Sequence, residues 1–245
     1  MTKQYPIHEK VIALDEQYKN RDQQAIKNST LLDASRICQD LYLPLFLTEY
    51  FSNNKRIRNF LEVGSSVGNL TLPIRSFVDR VFSFDICQGA IDISKETNQG
   101  IPGIEVFQAD GLSPLNSNAI ASHLFDFIYI REFHPFTRNF FASLDEAKAI
   151  QKEALLAYSS RLEENGLMVI YQVNTVDQAF RPSPEMIPTD CKLELAYYDP
   201  RLLSPFIQLF RRNLKLACFF TKLFQPLLRL RGYPTYLFVL RKKAS

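Results

Sequence analysis

Apolar positions along this chain follow two rhythms, one of helical spacing and one of short continuous runs. From Thr30 to Phe51 the residues Leu31, Leu32, Ile37, Leu41, Leu43, Phe46, Leu47 and Phe51 recur every three to four positions, which predicts a helix with a polar N-cap, bent at Pro44. The charged stretch before it, DEQYKNRDQQAIKNS, reads as a further solvated helix or a lid. A strand follows over 60–63, then a turn carrying two glycines, then a helix opening near Asn69.

The alternation repeats downstream. VFSFD (81–85) is a strand ending on an acid, GAIDISKETN a helix, and IEVFQAD (104–110) another strand ending on an acid. FDFIYI (125–130) is almost continuously apolar, as a strand covered on both faces must be. Ser143 with Glu146 forms a capping box for a long helix through Ala147, Ile150, Ala154, Leu155, Tyr158 and Leu162. Asn165 and Gly166 stop that helix, and LMVIYQV (167–173) is the next buried strand. A polar, proline-bearing insertion spans about 174–199; Asp199 and Pro200 then start a helix through about Arg212. LKLACFF (214–220) and PTYLFVL (234–240) read as two closing strands able to pair as an edge hairpin. The sum is an α/β chain with a doubly wound, mostly parallel seven-stranded sheet, Rossmann-like, with an antiparallel C-terminal hairpin. Residues 1–55 form an N-terminal helical cap and residues 56–245 the main domain.

Composition narrows the class. At 245 residues with 46% hydrophobic and 22% charged residues the chain can bury a sizeable core and is no disordered tract. No apolar run reaches the roughly 18 residues of a membrane span, and the N-terminus lacks a secretion signal's apolar core, so a cytoplasmic location is expected. Cys38, Cys87, Cys191 and Cys218 lie far apart without CxxC spacing, which argues against zinc and disulfides and leaves no metal expected. Net charge is +3, but ten of the 29 bases and none of the 26 acids fall within 201–245, leaving residues 1–200 with 19 bases and a charge of −7. Such polarity suits anionic substrates, nucleic acid or a membrane surface, or a solvated C-terminal face.

The candidate chemistry centres on the glycine turn, Glu62-Val63-Gly64-Ser65-Ser66-Val67-Gly68. In open α/β sheets ligands bind where the strands exit, and glycines there admit close approach to the main chain. The turn lacks the GxxxxGK[ST] of a triphosphate site, and Glu62 beside it would repel the pyrophosphate of a dinucleotide. An acid there suits a cationic or zwitterionic ligand end. The segment resembles the ExGxGxG signature of class I S-adenosylmethionine-dependent methyltransferases, with Ser66 at the middle glycine. The resemblance continues at Asp85, 21 residues past Gly64, at Ile86, at Gln108-Ala109-Asp110-Gly111, at FDFIYIREF and at NGLMVIY, covering about 59–175. It implies an S-adenosylmethionine cofactor held by Glu62, Gly64, Ser65, Ser66 and Gly68. Asp85 would then take the ribose hydroxyls, Ile86 would pack on adenine, Asp110 would take the adenine amine, and the N–H of the residue preceding Asp110, Ala109, would meet a ring nitrogen. Gly111 and Arg131 complete the implied cofactor set. From the residues alone, Asp85 also reads as a helix-capping acid and Asp110 as an Asx turn.

The methyl acceptor is expected above the fourth strand's exit, REFHPFTRNFF (131–141). That segment has neither the [ND]PP[YFW] pattern nor a cysteine, which disfavours nucleic-acid substrates. His134 is the candidate general base or acceptor-orienting group, equally readable as a loop brace. Arg131 and Glu132 either orient an acceptor's charged group or pair with each other. Phe133 and Phe136 suit an apolar or aromatic acceptor, Tyr18 a cover, and Tyr171 the acceptor's lid. The expectation is a small-molecule O- or N-methyltransferase, with a homodimer left open. The alternatives are an RNA or protein methyltransferase and a non-catalytic S-adenosylmethionine-binding module.

Overall fold

The computed structural model describes residues 34–51, 56–131, 133, 136, 143–172, 182–198, 203–228 and 236–244. In chain order these form α1 (Ala34–Tyr50), β1 (Asn59–Val63), α2 (Thr71–Arg75), β2 (Arg80–Asp85), α3 (Gln88–Thr97), β3 (Ile104–Gln108), α4 (Asn118–Ala121), β4 (Phe125–Arg131), α5 (Leu144–Ser160), β5 (Leu162–Gln172), β6 (Cys191–Tyr198), α6 (Ser204–Leu209), α7 (Leu214–Leu228) and β7 (Tyr236–Lys242). The strands make one seven-stranded sheet in the order β3-β2-β1-β4-β5-β7-β6. Strands β1 to β5 run parallel, and β7 lies antiparallel between β5 and β6.

Side chains alternate across this sheet and so build two cores. Leu61, Val63, Ile128, Ile130, Met168 and Ile170 face one way, against Ala147, Ala154, Leu155 and Tyr158 of α5. Phe60, Phe127, Tyr129, Leu167, Val169 and Tyr171 face the other, against α1, Ile74 of α2, Ile207 of α6 and Ala217 of α7. The near-continuous apolar runs in β4 and β5 follow directly, since both of their faces are covered. Ser143 does cap α5, its hydroxyl accepting from the Glu146 N–H at 3.1 Å.

Four expectations are corrected. Residues 214–220 form the first half of α7, not a strand. The seventh strand is instead Cys191–Tyr198, inside the stretch read as an insertion, so the antiparallel C-terminal pair is β6 with β7, separated by two helices and not a hairpin. Helix α5 ends at Ser160, before Leu162, and Asn165-Gly166 lies within β5 near an irregularity in its pairing with β4, with Asn165 at φ +61°. Helix α6 runs over Ser204–Leu209, shorter than expected, while Asp199 and Pro200 are outside the described residues. Among the described residues Cys87, Cys191 and Cys218 are buried thiols outside any disulfide, and burial first of all pushes Cys191 and Cys218 up to about 12. Among the described residues no helix is long and apolar enough to cross a membrane.

Candidate cofactor site at the carboxyl edge of the sheet

Strand order reverses between β1 and β4, the place where open α/β sheets bind ligands. Register aligns the exits: Val63 pairs with Phe84 and with Ile130, Asp85 with Gln108, and Arg131 with Tyr171. Gly64, Asp85, Asp110 and Arg131 therefore lie along a single edge.

The turn after β1 alternates left-handed residues, with Gly64 at φ +70°, Ser66 at +53° and Gly68 at +77°. Glycine adopts that conformation freely, whereas serine is strained there by about 1–2 kcal/mol. Asp85 holds the strained residue in place: its Oδ2 accepts the Ser66 N–H at 2.9 Å, while its Oδ1 accepts the Cys87 N–H at 3.0 Å at the start of α3. Capping and loop-holding thus coexist in one carboxylate. At Gly68 a Cβ would stand 2.3 Å from the Ser94 hydroxyl and 3.2 Å from Asn98 Nδ2, so this glycine lets α3 close on the turn. Val67 and the half-buried Ile86 complete that contact with Ala90 and Ile93.

Glu62 points to the face carrying α2. Its Oε2 accepts the Thr71 hydroxyl at 2.6 Å and the Ser83 hydroxyl at 3.3 Å, fastening β1, β2 and the first residue of α2 together. Ser65 donates its N–H to the Phe84 carbonyl at 2.9 Å. Its hydroxyl is buried and has no hydrogen-bond partner among the described residues. An orphaned buried hydroxyl costs about 1–3 kcal/mol.

Asp110 makes the Asx turn: its Oδ1 accepts the Leu112 N–H at 2.9 Å. Burial raises its carboxyl above the usual 3.8, with the Leu112 N–H pulling the other way. One implied contact is corrected. The Ala109 N–H donates to the Asp85 carbonyl at 3.1 Å, extending the β2–β3 ladder, and is spent there.

Phe133, just past β4, lies across this edge. A Cβ on Gly64 would meet its ring at 3.5 Å, an ordinary contact, but one on Gly111 would meet it at 2.8 Å, so the ring would have to shift. Phe133 thus packs directly on Gly111. Beneath, the buried Tyr158 hydroxyl donates to the Gly111 carbonyl at 2.8 Å, and burial together with Asp110 pushes its pKa well above 10.0. Neither role was visible in the sequence, where Tyr158 counted only as core periodicity.

Two acceptor-side expectations are corrected. Tyr171 is fully buried in the second core, stacked on Tyr129 at 6.4 Å, and Phe136 is fully buried in the first, edge-on to Phe133 at 5.3 Å. Strand alternation sends Tyr171 to the α1 face, away from an acceptor. Tyr18, Glu132 and His134 lie outside the described residues. Among the described residues no group of three His, Cys, Asp or Glu side chains is disposed to hold a metal ion.

The sheet, with β7 antiparallel between β5 and β6, has the fold of solved methyltransferases. The plantazolicin methyltransferase BamL, solved with a triazolic desmethylPZN analog and SAH, superposes with a TM-score of 0.58 at 11% identity, over 94% of this chain and 95% of that one. The N-methyltransferase NodS from Bradyrhizobium japonicum WM9 gives 0.52 at 13% identity over 82% and 93%. Its complex with S-adenosyl-l-homocysteine gives 0.51 at 14% over 82% and 85%. No protein-family profile matches the chain, and no curated protein matches it in sequence.

Proposed function

We propose that this chain is an S-adenosylmethionine-dependent methyltransferase acting on an oxygen or nitrogen of a small, apolar or partly aromatic molecule. The observation that carries the reading is the unpartnered buried hydroxyl of Ser65 within a left-handed turn on the switch-point edge, flanked by Asp85 and Asp110. The chemistry the cofactor supplies is an activated methyl group on a sulfonium, displaced in line by the acceptor's lone pair with the electron pair returning to sulfur. Ser65 and the main chain at Gly64 hold its amino-acid end. Asp85 keeps lone pairs beyond those used by Ser66 and Cys87, and these accept the ribose hydroxyls. Asp110 accepts the adenine amine through Oδ2, the oxygen not engaged by Leu112. Ile86 offers the apolar surface beside them.

On the acceptor side the proposal assigns His134 as base or orienting group, Glu132 and Arg131 as polar contacts, Phe133 as an apolar wall once its ring has moved off Gly64 and Gly111 to admit the cofactor, and Tyr18 as a cover. Residues 1–55 are proposed as a cap; their described part, α1, packs on the sheet through Leu43, Phe46 and Leu47. BamL and NodS are described as methyltransferases, and BamL was solved with a triazolic desmethylPZN analog and SAH, which supports methyl transfer as the reaction. One observation favours a second reading, a non-catalytic S-adenosylmethionine-binding module: Ser66, not glycine, stands at the middle of the turn, at φ +53°.

Titration calorimetry with S-adenosylhomocysteine tests the proposal. Micromolar binding that weakens in Asp85→Ala supports it, and no heat at saturating ligand overturns it. His134→Ala separates the two readings, because it lowers turnover far more than cofactor affinity only if transfer occurs.

A further inference from the structure

Helix α7 carries a surface that the methyltransferase reading does not use. Its inner side is ordinary: Ala217, Cys218 and Thr221 are buried against α1 and α6, with the Cys218 thiol directed to the Phe46 carbonyl at 3.7 Å. Phe220 stacks on Phe210 at 5.0 Å and Phe224 on Phe206 at 5.8 Å, closing the side toward α6. Its outer side is not ordinary. Leu216, Phe219 and Leu223 stand 42%, 59% and 60% exposed, and Leu209 of α6 beside them is 75% exposed. At 100° per residue, the three α7 side chains fall within an arc of about 60°, one continuous apolar stripe along the helix.

Charge selects what meets that stripe. Arg211 and Arg212 precede the helix, and Lys215 and Lys222 line one flank, all exposed. No acid occurs anywhere in 201–245, against ten Lys and Arg. Among the described residues, the acid whose charge reaches Cys218, on the side away from the stripe, is Glu49 of α1. An apolar stripe of Leu and Phe edged by cations is the pattern of a helix lying in a bilayer interface, aliphatic and aromatic groups among the acyl chains and ammonium and guanidinium groups at the lipid phosphates. A second copy of the chain fits less well, because a two-fold contact would set these same four cations against themselves. A nucleic acid would satisfy the cations and leave three large apolar side chains unmatched.

We propose that the outer face of α7 docks the protein onto an anionic phospholipid surface as a peripheral, non-spanning contact. The cations supply attraction to the headgroups, and Leu216, Phe219 and Leu223 supply burial. The contact needs no ligand at the sheet edge, so it stands or falls separately from the methyltransferase reading.

The test is co-sedimentation of the purified full chain with vesicles of phosphatidylcholine alone, and of equal parts phosphatidylcholine and phosphatidylglycerol. Binding is expected to the mixed vesicles, little to phosphatidylcholine, and less at high salt. Phe219→Glu with Leu223→Glu should weaken binding by about tenfold or more, and Phe219→Ser with Leu223→Ser should weaken it without adding charge. Lys215→Glu with Lys222→Glu should weaken it on the mixed vesicles alone. Unchanged melting temperatures confirm that these exposed positions leave the fold intact. The proposal is overturned if wild type stays in the supernatant with mixed vesicles, if it binds both vesicle types equally, or if the stripe variants sediment like wild type. It is also overturned if the wild-type chain is a dimer that Phe219→Glu with Leu223→Glu converts to monomers, since the stripe is then a subunit interface.

Discussion

In the β1 turn, atoms proposed to hold the cofactor also meet a structural need. Ser66 sits at φ +53°, where its Cβ is a liability, and the Asp85 carboxylate keeps it there through the Ser66 N–H. Ser66→Gly should therefore raise stability by about 1 kcal/mol, measurable in urea unfolding, while leaving the Asp85 contact intact. Asp85→Ala removes the acceptor for two main-chain N–H groups and for the ribose, and should weaken S-adenosylhomocysteine binding by about 1–3 kcal/mol. Asp110 adds a pH signature. Its folded pKa lies above 3.8 because burial penalises the charged form, so its contribution to stability is complete below that value and is lost as pH rises through the folded pKa. Asp110→Asn, which keeps an acceptor for the Leu112 N–H, should be the more stable protein at neutral pH. The gap opens as pH climbs past 3.8 and then levels, and the variant binds the nucleoside less tightly. A gap that closes with rising pH would show that the carboxylate is better solvated than its position implies.

At the scale of elements, the turn, α3 and β4's exit depend on residues with no side chain. Gly68→Ala combines a left-handed backbone with a Cβ placed 2.3 Å from Ser94, and should cost at least about 2 kcal/mol of stability, read from denaturant midpoints. Strands β1, β2, β4 and β5 were legible in the sequence as short buried apolar runs bounded by Gly, Asn-Gly or an acid. The edge strand β3, none of whose residues is fully buried, was legible as a β-branched and aromatic run ending on an acid. The run LKLACFF was not, since seven mostly apolar residues fit a strand as well as a helix. Only packing decides it, and here Ala217, Cys218 and Thr221 turn inward at helical spacing. Strand β6 escaped for the opposite reason: at the sheet's edge, CKLELAYY mixes charged and apolar residues and follows a proline-rich stretch. The acids and glycines of the site were readable from their places at strand exits. The roles of Tyr158 and Phe133 were not, because each acts on Gly111 from a distant part of the chain.

For the whole molecule, ligand binding and folding share one equilibrium, and that makes Phe133 a decisive position. A ligand at a hundred times its Kd stabilises the folded state by about 2.7 kcal/mol, which for a domain of this size raises the melting temperature by about 5–10 °C. The Phe133 ring is packed against the first core and over Gly64 and Gly111, so it supports the fold and stands on the edge where the proposed nucleoside would bind. Phe133→Ala should then act with opposite signs. The ligand-free protein loses about 2–3 kcal/mol of packing and melts lower. Binding no longer has to displace the ring, so affinity rises and the ligand-induced shift grows. Scans of wild type and variant with and without S-adenosylhomocysteine separate these effects without measuring turnover. A lower ligand-free melting temperature with an unchanged or smaller shift would mean that the ring is a wall the ligand leans on, and that the edge is already open when Phe133 is in place.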